Sequence, residues 1–278
     1  FGRGSRSVST VEHQASGGET FQDYGVNPMT LSTDDGMSTF AMDVDTASYT
    51  MARAALNAGR LPAKASVRVE EFVNYLEYDY VPPTTDAPFA VHMEATQNPW
   101  QPSHHVLRIG VQGWEVPEDQ RKPVRLTFLV DVSGSMGARN KLPLATESID
   151  WLVDQLGDAD TIAITTYAGR TEVLLPPTNA TDRSTIDAAL ERLRPGGGTN
   201  MDAGIDLAYQ AASDAYVDGA ENRVIILSDG DANIGRTSHE QLLETIESHA
   251  EAGITLTTLG FGSGQYNDVI MEQLANKG

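Results

Sequence analysis

From residue 124 onward, short apolar runs alternate with amphipathic helical segments, and this alternation restricts the fold more than any other property of the chain. The runs Leu126–Asp131, Thr161–Tyr167, Val224–Ser228 and Thr255–Gly260 read as buried strands. Residues 142–156, 182–193, 202–216, 239–252 and 267–275 read as helices. The first of these helices is expected to bury Ala145, Ile149, Leu152, Val153 and Leu156, which recur at helical spacing. Strands separated by helices must lie parallel, and such a sheet needs helices on both faces. The expected fold class is therefore α/β, a doubly wound and mainly parallel central sheet. Thr171–Leu175 follows Tyr167 too closely for a crossover and should pair antiparallel at the sheet edge.

Residues 40–123 have a different texture and are expected to form a smaller α+β accessory region. Phe40–Val44 alternates as a strand would; a helix then places Tyr49, Ala52 and Leu56 on one face and stops at Gly59. A second stripe of Val69, Phe72, Val73 and Leu76 ends before Pro82-Pro83. Two strand-like segments, "FAVHMEATQ" and "HVLRIGVQG", complete the region. Residues 1–39 carry no periodicity, and Gly, Ser and Thr make up 17 of them. They read as an extended leader, a linker or a strap.

Charge narrows the range of partners. Lys and Arg total 19 against 39 Asp and Glu, for a formal net charge of −20. That surface repels nucleic acid and anionic membranes, so neither is expected as a partner. No apolar run approaches the roughly 20 residues that cross a bilayer. The absence of cysteine excludes disulfides, thiolate-metal sites and thiol catalysis. The chain opens at "FGRGSRSVST" without methionine, which suggests a processed or partial sequence.

The first strand ends in an aspartate followed by two serines, in "LTFLVDVSGSMGARNKL". Those groups are costly to bury unless something satisfies them. A tight turn after a strand points alternate side chains to one spot, which gathers Asp131, Ser133 and Ser135. Asp229 ends another strand in "VIILSDGD", and Thr199 lies in the glycine-rich loop "RPGGGTNMD". Open parallel sheets bind ligands at the carboxyl ends of their strands. Two carboxylates and three hydroxyls form a set of hard oxygen donors, suited to Mg²⁺, Mn²⁺ or Ca²⁺ and not to zinc or copper.

"DVSGSMG", "GGGTN" and "LSDGD", in that order on an α/β pattern, resemble the von Willebrand factor type A domain. The resemblance implies a metal-ion-dependent adhesion site on Asp131, Ser133, Ser135, Thr199 and Asp229, with Mg²⁺ as the expected ion. It also implies a protein partner that offers Asp or Glu to the metal, and a binding role in place of catalysis. "STFAMDVDTASY", "VRVEEFVNYLEYDY" and "HVLRIGVQG" resemble the N-terminal region of bacterial proteins labelled calcium-activated chloride-channel homologues. That resemblance implies a cell-surface, extracellular or periplasmic location, with lipid anchoring through a preceding segment, and a place in a larger surface assembly. It further implies a strand and a closing helix beyond Gly278. The expected domains are thus the leader 1–39, the accessory region 40–123 and the A-type domain 124–278.

Plainer readings compete at each point. Asp131 to Ser135 can simply cap the next helix, as Asp45 or Thr46 in "DVDTAS" is expected to do. Asp202 and Asp231 lie close to the site in sequence; they read as solvated surface, with a supporting place behind the direct ligands as the alternative. Asp231 is also the obvious general base for a rival reading as a metal-dependent hydrolase. A permanent structural subunit of an envelope assembly is the other rival.

Overall fold

The computed structural model describes residues 11–14, 20–23, 28–39, 44–84, 87–230, 236–262 and 268–278. Two compact units emerge, one of residues 1–40, 51–67 and 122–278, the other of residues 41–50 and 68–121.

Short strands β1 (Val11–Gln14) and β2 (Thr20–Asp23) pair antiparallel inside the segment expected to be an extended leader. Helix α1 covers Ala47–Asn57, followed by Gly59 at a φ of 71°. Of the expected strand Phe40–Val44, residues 40–43 lie outside the described residues. Helix α2 covers only Val69–Asn74, and its apolar stripe is not an inward face. Val69, Val73 and Leu76 are exposed, as is Leu56 of α1. The buried group of α2 is instead Glu71, whose carboxylate accepts the Ser48 N–H at 2.7 Å and pairs with Arg68 at 3.1 Å. A helix of under two turns is placed by that polar cluster together with Phe72, the one half-buried residue of the stripe, whose ring packs edge-on against Tyr49 at 5.4 Å. Strands β3 (Phe89–Gln97) and β4 (His105–Gly113) form an antiparallel hairpin. Tyr80 lies against Gly110, where a Cβ would meet the ring at 2.3 Å, and its ring stacks on His92.

The larger sheet lies in the first unit and contains β5 (Val124–Asp131), β6 (Thr161–Tyr167), β7 (Thr171–Asn179), β8 (Glu221–Ser228) and β9 (Ile254–Gly260). Its order is β7-β6-β5-β8-β9, all parallel except β7. The doubly wound α/β fold expected from the alternation is the one formed, with β7 as the antiparallel edge. Period-two side-chain alternation splits the core in two. Phe128, Val130, Ile225 and Leu227 face α3 (Leu142–Val153) and α4 (Arg183–Leu190), against Ala145, Ile149, Val153 and Ile186. Leu129, Val224 and Ile226 face α5 (Met201–Asp214), α6 (Arg236–Glu251) and α7 (Asp268–Lys277). Leu152 and Leu156 pack only partly buried at the rim of the first layer.

After β5 the chain winds outward through β6 on one side, then returns to place β8 on the other. The carboxyl end of β5 is therefore the switch point, where neighbouring connections diverge and leave a crevice. Asp131 sits at that end.

Candidate metal centre

The turn after β5 is built by Asp131 itself. Its Oδ1 accepts the Ser133 N–H at 2.8 Å, folding the chain back into a 3-10 turn at Gly134–Gly137. This brings the Ser133 and Ser135 hydroxyl oxygens within 2.9 Å of each other. The other carboxylate oxygen of Asp131 accepts from the Tyr167 hydroxyl and from Ser228 Oγ, both at 3.0 Å. Ser228 Oγ in turn accepts the Gly230 N–H at 3.0 Å. Asp131 is fully buried, and three donors satisfy it.

Two backbone hydrogen bonds stitch the loop before Thr199 to this turn: Gly196 N–H to the Val132 carbonyl at 2.8 Å, and Gly134 N–H to the Gly197 carbonyl at 3.2 Å. Gly197 adopts a φ of 88°, and a Cβ there would approach the Gly169 nitrogen at 3.1 Å. Only glycine lets the loop pass between these backbones. Thr199 follows two residues later, half-buried, one residue before Asn200, whose side chain caps α5 through the Ala203 N–H. Asp229 directly follows β8 and is buried; its Oδ2 lies 2.8 Å from Lys141 Nζ.

Direct bonds thus join Asp131 to Ser133, and Ser133 to Ser135. Asp229 connects to Asp131 through Ser228 and through charge. The loop that carries Thr199 is bonded to the turn two and three residues earlier, at Gly197 and Gly196. Asp202 is not fully solvated as expected: its Oδ1 is shielded and has no hydrogen-bond partner among the described residues. Asp231 lies outside the described residues.

Burial raises the Asp131 carboxyl above its ordinary value; hydrogen bonds from Ser133 and Ser228 pull it back, and the Asp229 charge pushes it up again. Burial first, and the Asp131 charge second, push the Tyr167 hydroxyl well above the usual phenol range. Tyr167 therefore stays protonated and remains a donor to Asp131.

Sequence reasoning missed Tyr167, Ser228 and Lys141. The first had a signal, because Tyr167 ends β6 in direct register with Asp131. Ser228 is the residue before Asp229 in "LSDGD".

Among the described residues, no group of three or more His, Asp or Glu could hold an ion by itself. An ion here must draw on hydroxyls as well as carboxylates, and the residues fit that demand. They offer hard oxygens only, two of them hydroxyls already facing each other, and an unpartnered carboxylate oxygen three residues beyond Thr199.

Comparison with known proteins agrees with this architecture. Residues 126–232 match the model of the von Willebrand factor type A domain, and residues 15–108 match a model described as von Willebrand factor. The chain is 35% identical over 286 residues to the Escherichia coli protein YfbK, covering 100% of this chain and 49% of that protein. It is 27% identical over 168 residues to human inter-alpha-trypsin inhibitor heavy chain H3, covering 56% of this chain and 18% of the other. The chain thus spans about half or less of the length of these curated relatives. Among solved structures, a von Willebrand factor type A protein from Catenulispora acidiphila shares the fold, with a TM-score of 0.50 and 20% identity over 68% of this chain and 44% of that one. The segment that matches the von Willebrand factor type A domain, residues 126–232, is the part of the crossover sheet that carries Asp131 and Asp229.

Proposed function

We propose that Asp131, Ser133, Ser135, Thr199 and Asp229 hold one divalent cation, Mg²⁺ foremost, and that this centre binds a partner protein through an Asp or Glu side chain. Domains of this type are in general metal-dependent protein-interaction modules. The observation that carries the reading is the pair of serine hydroxyls 2.9 Å apart beside a buried, fully bonded carboxylate. When bound, the cation would supply an electrophilic position for an incoming carboxylate. The chain's own part is to fix the donors: Asp131 holds the serine turn, while Gly196 and Gly197 hold the threonine loop to it.

The state of Asp131 and Asp229 supports a binding role for these two acids. The Asp131 carboxylate already accepts from three donors, and Asp229 is ion-paired, so neither is placed to take a proton from water. We further propose, on the resemblance of "STFAMDVDTASY", "VRVEEFVNYLEYDY" and "HVLRIGVQG" alone, that the protein works in a surface or periplasmic assembly.

Isothermal titration of the chelator-treated protein with Mn²⁺ or Mg²⁺ tests the centre. The wild type should bind one ion, and Ser133→Ala/Ser135→Ala should lose it while keeping the circular dichroism spectrum unchanged. Equal binding by both proteins would refute the assignment.

A further inference from the structure

Lys141 stands just before α3, where its backbone is fixed from both sides. Its N–H donates to the Ala138 carbonyl at 3.0 Å, and its own carbonyl accepts from the Ala145 N–H at 2.8 Å. The side chain then runs inward. Its stem crosses Gly262, just beyond β9, so closely that a Cβ there would lie 2.5 Å from Cε and 2.8 Å from Cγ. Gly262 also has a φ of 90°, which favours glycine a second time. The ammonium ends 2.8 Å from Asp229 Oδ2, with side-chain exposures of 12% and 2%. Surface pairs such as Lys122–Glu221 and Lys277–Glu247 are 43% or more exposed at each side chain. The chain has also devoted one of its 4 lysines to this position among 19 cations.

An ammonium threaded along a glycine onto a buried carboxylate is a built feature. Its target is the acid that, on the reading above, faces the divalent ion. We propose that Lys141 is a tethered counter-ion of the metal centre: it holds the Asp229 carboxylate and competes with a divalent cation for it, and so sets how tightly the centre takes an ion. The inference rests on the metal reading of the site. Its physical basis is charge. A cation approaching Asp229 is attracted by the carboxylate and repelled by the ammonium already bonded to it, at short range and shielded from solvent. The lysine also keeps Asp229 from standing as an uncompensated buried charge in the ion-free protein, a costly state. The centre therefore remains folded without an ion and gives up affinity in return.

The test uses the chelator-treated wild type, Lys141→Met and Lys141→Gln, the last retaining a hydrogen-bond donor without charge. Mn²⁺ is titrated calorimetrically, and thermal unfolding is followed with and without it. Both variants should bind Mn²⁺ about 10-fold tighter or more, since each removes one repulsive charge at contact range. Both should melt below the wild type in chelator and show the larger upward shift on adding Mn²⁺. If Ser133→Ala/Ser135→Ala loses binding while the Lys141 variants bind no tighter than the wild type, the lysine inference falls and the metal reading stands. Weaker binding in those variants would make Lys141 a positioning residue and likewise overturn it. If wild type, serine and lysine variants all fail to bind, both readings fall together.

Discussion

Replacing Gly204 by alanine sets two effects of known size against each other. Gly204 lies in the first turns of α5, and alanine in a helix interior is worth about 1 kcal/mol over glycine. The structure opposes that gain. A Cβ at this position would lie 2.7 Å from Tyr167 Cβ and 3.0 Å from its Cγ. Tyr167 Cβ is fixed by the backbone, so no rotamer change relieves the contact. Nor can the backbone retreat, because Tyr167 is paired with Asp131 of β5 on one side and Thr171 of β7 on the other. Overpacking of this kind costs roughly 1–3 kcal/mol, which offsets the propensity gain and leaves a net loss of up to about 2 kcal/mol. For a domain of this size the melting point should fall by roughly 2–4 °C per kcal/mol. Gly196→Ala, where an added Cβ meets nothing within 4 Å, serves as the control and should stay within about ±0.5 kcal/mol. The tyrosine hydroxyl bonds Asp131, so Gly204→Ala should also weaken Mn²⁺ binding in the titration. A variant that melts higher than the wild type would refute the claim that α5 is held against β6 at this contact.

Asp160 is buried and accepts the Val124 N–H at 2.9 Å and the Gly157 N–H at 2.7 Å; Asp160→Ala should cost about 2–3 kcal/mol in denaturant unfolding by stranding both donors. Asp131→Ala strands the Ser133 N–H and the Ser228 hydroxyl, while the Tyr167 hydroxyl keeps Ser228 Oγ as an acceptor, so it should remove roughly 2–4 kcal/mol, whereas Asp131→Asn should lose metal binding at a smaller stability cost. The raised Asp131 carboxyl gives a signed pH dependence. The folded state takes up its proton before the unfolded chain does, so the ionised form costs stability above the raised value. In chelator, the wild type should gain on Asp131→Asn as pH falls from that raised value towards 3.8, and Mn²⁺ affinity should fall over the same range; a wild type that loses ground there would show a carboxyl that is depressed. Asp182 has the opposite sign: hydrogen bonds from Thr185 depress its carboxyl, so its capping of α4 should persist above the usual 3.8 and be lost as pH drops through the lower folded value, seen as late acid fraying of that helix.

The α/β sheet could be read from sequence because its central strands β5, β6 and β8 are buried on both faces, as a continuous apolar run such as Leu126–Val130 requires. Even the antiparallel edge was legible, since the few residues between Tyr167 and Thr171 cannot hold a crossover. What failed upstream failed for a related reason. Apolar spacing reports what apolar groups do: it picks out Phe72, which packs on Tyr49, but not Glu71, Ser48 and Arg68, which supply the rest of the anchoring of α2. The candidate centre shows the same asymmetry. Asp131, Ser133 and Ser135 form a local pattern, so their convergence is visible within five residues. Lys141 and Gly262 meet over Asp229 only because α3, β8 and β9 share one layer edge, and no spacing in the chain encodes that meeting. The distinction has a physical consequence. A centre made of hydroxyls cannot neutralise two buried carboxylates by itself, so a fold that places Asp131 and Asp229 at one switch point must supply compensation from elsewhere. For Asp131 the compensation is three hydrogen bonds, and for Asp229 it is an ammonium. The first is fixed in the scaffold. The second is carried on a side chain and can be displaced, so control over ion entry belongs at Asp229.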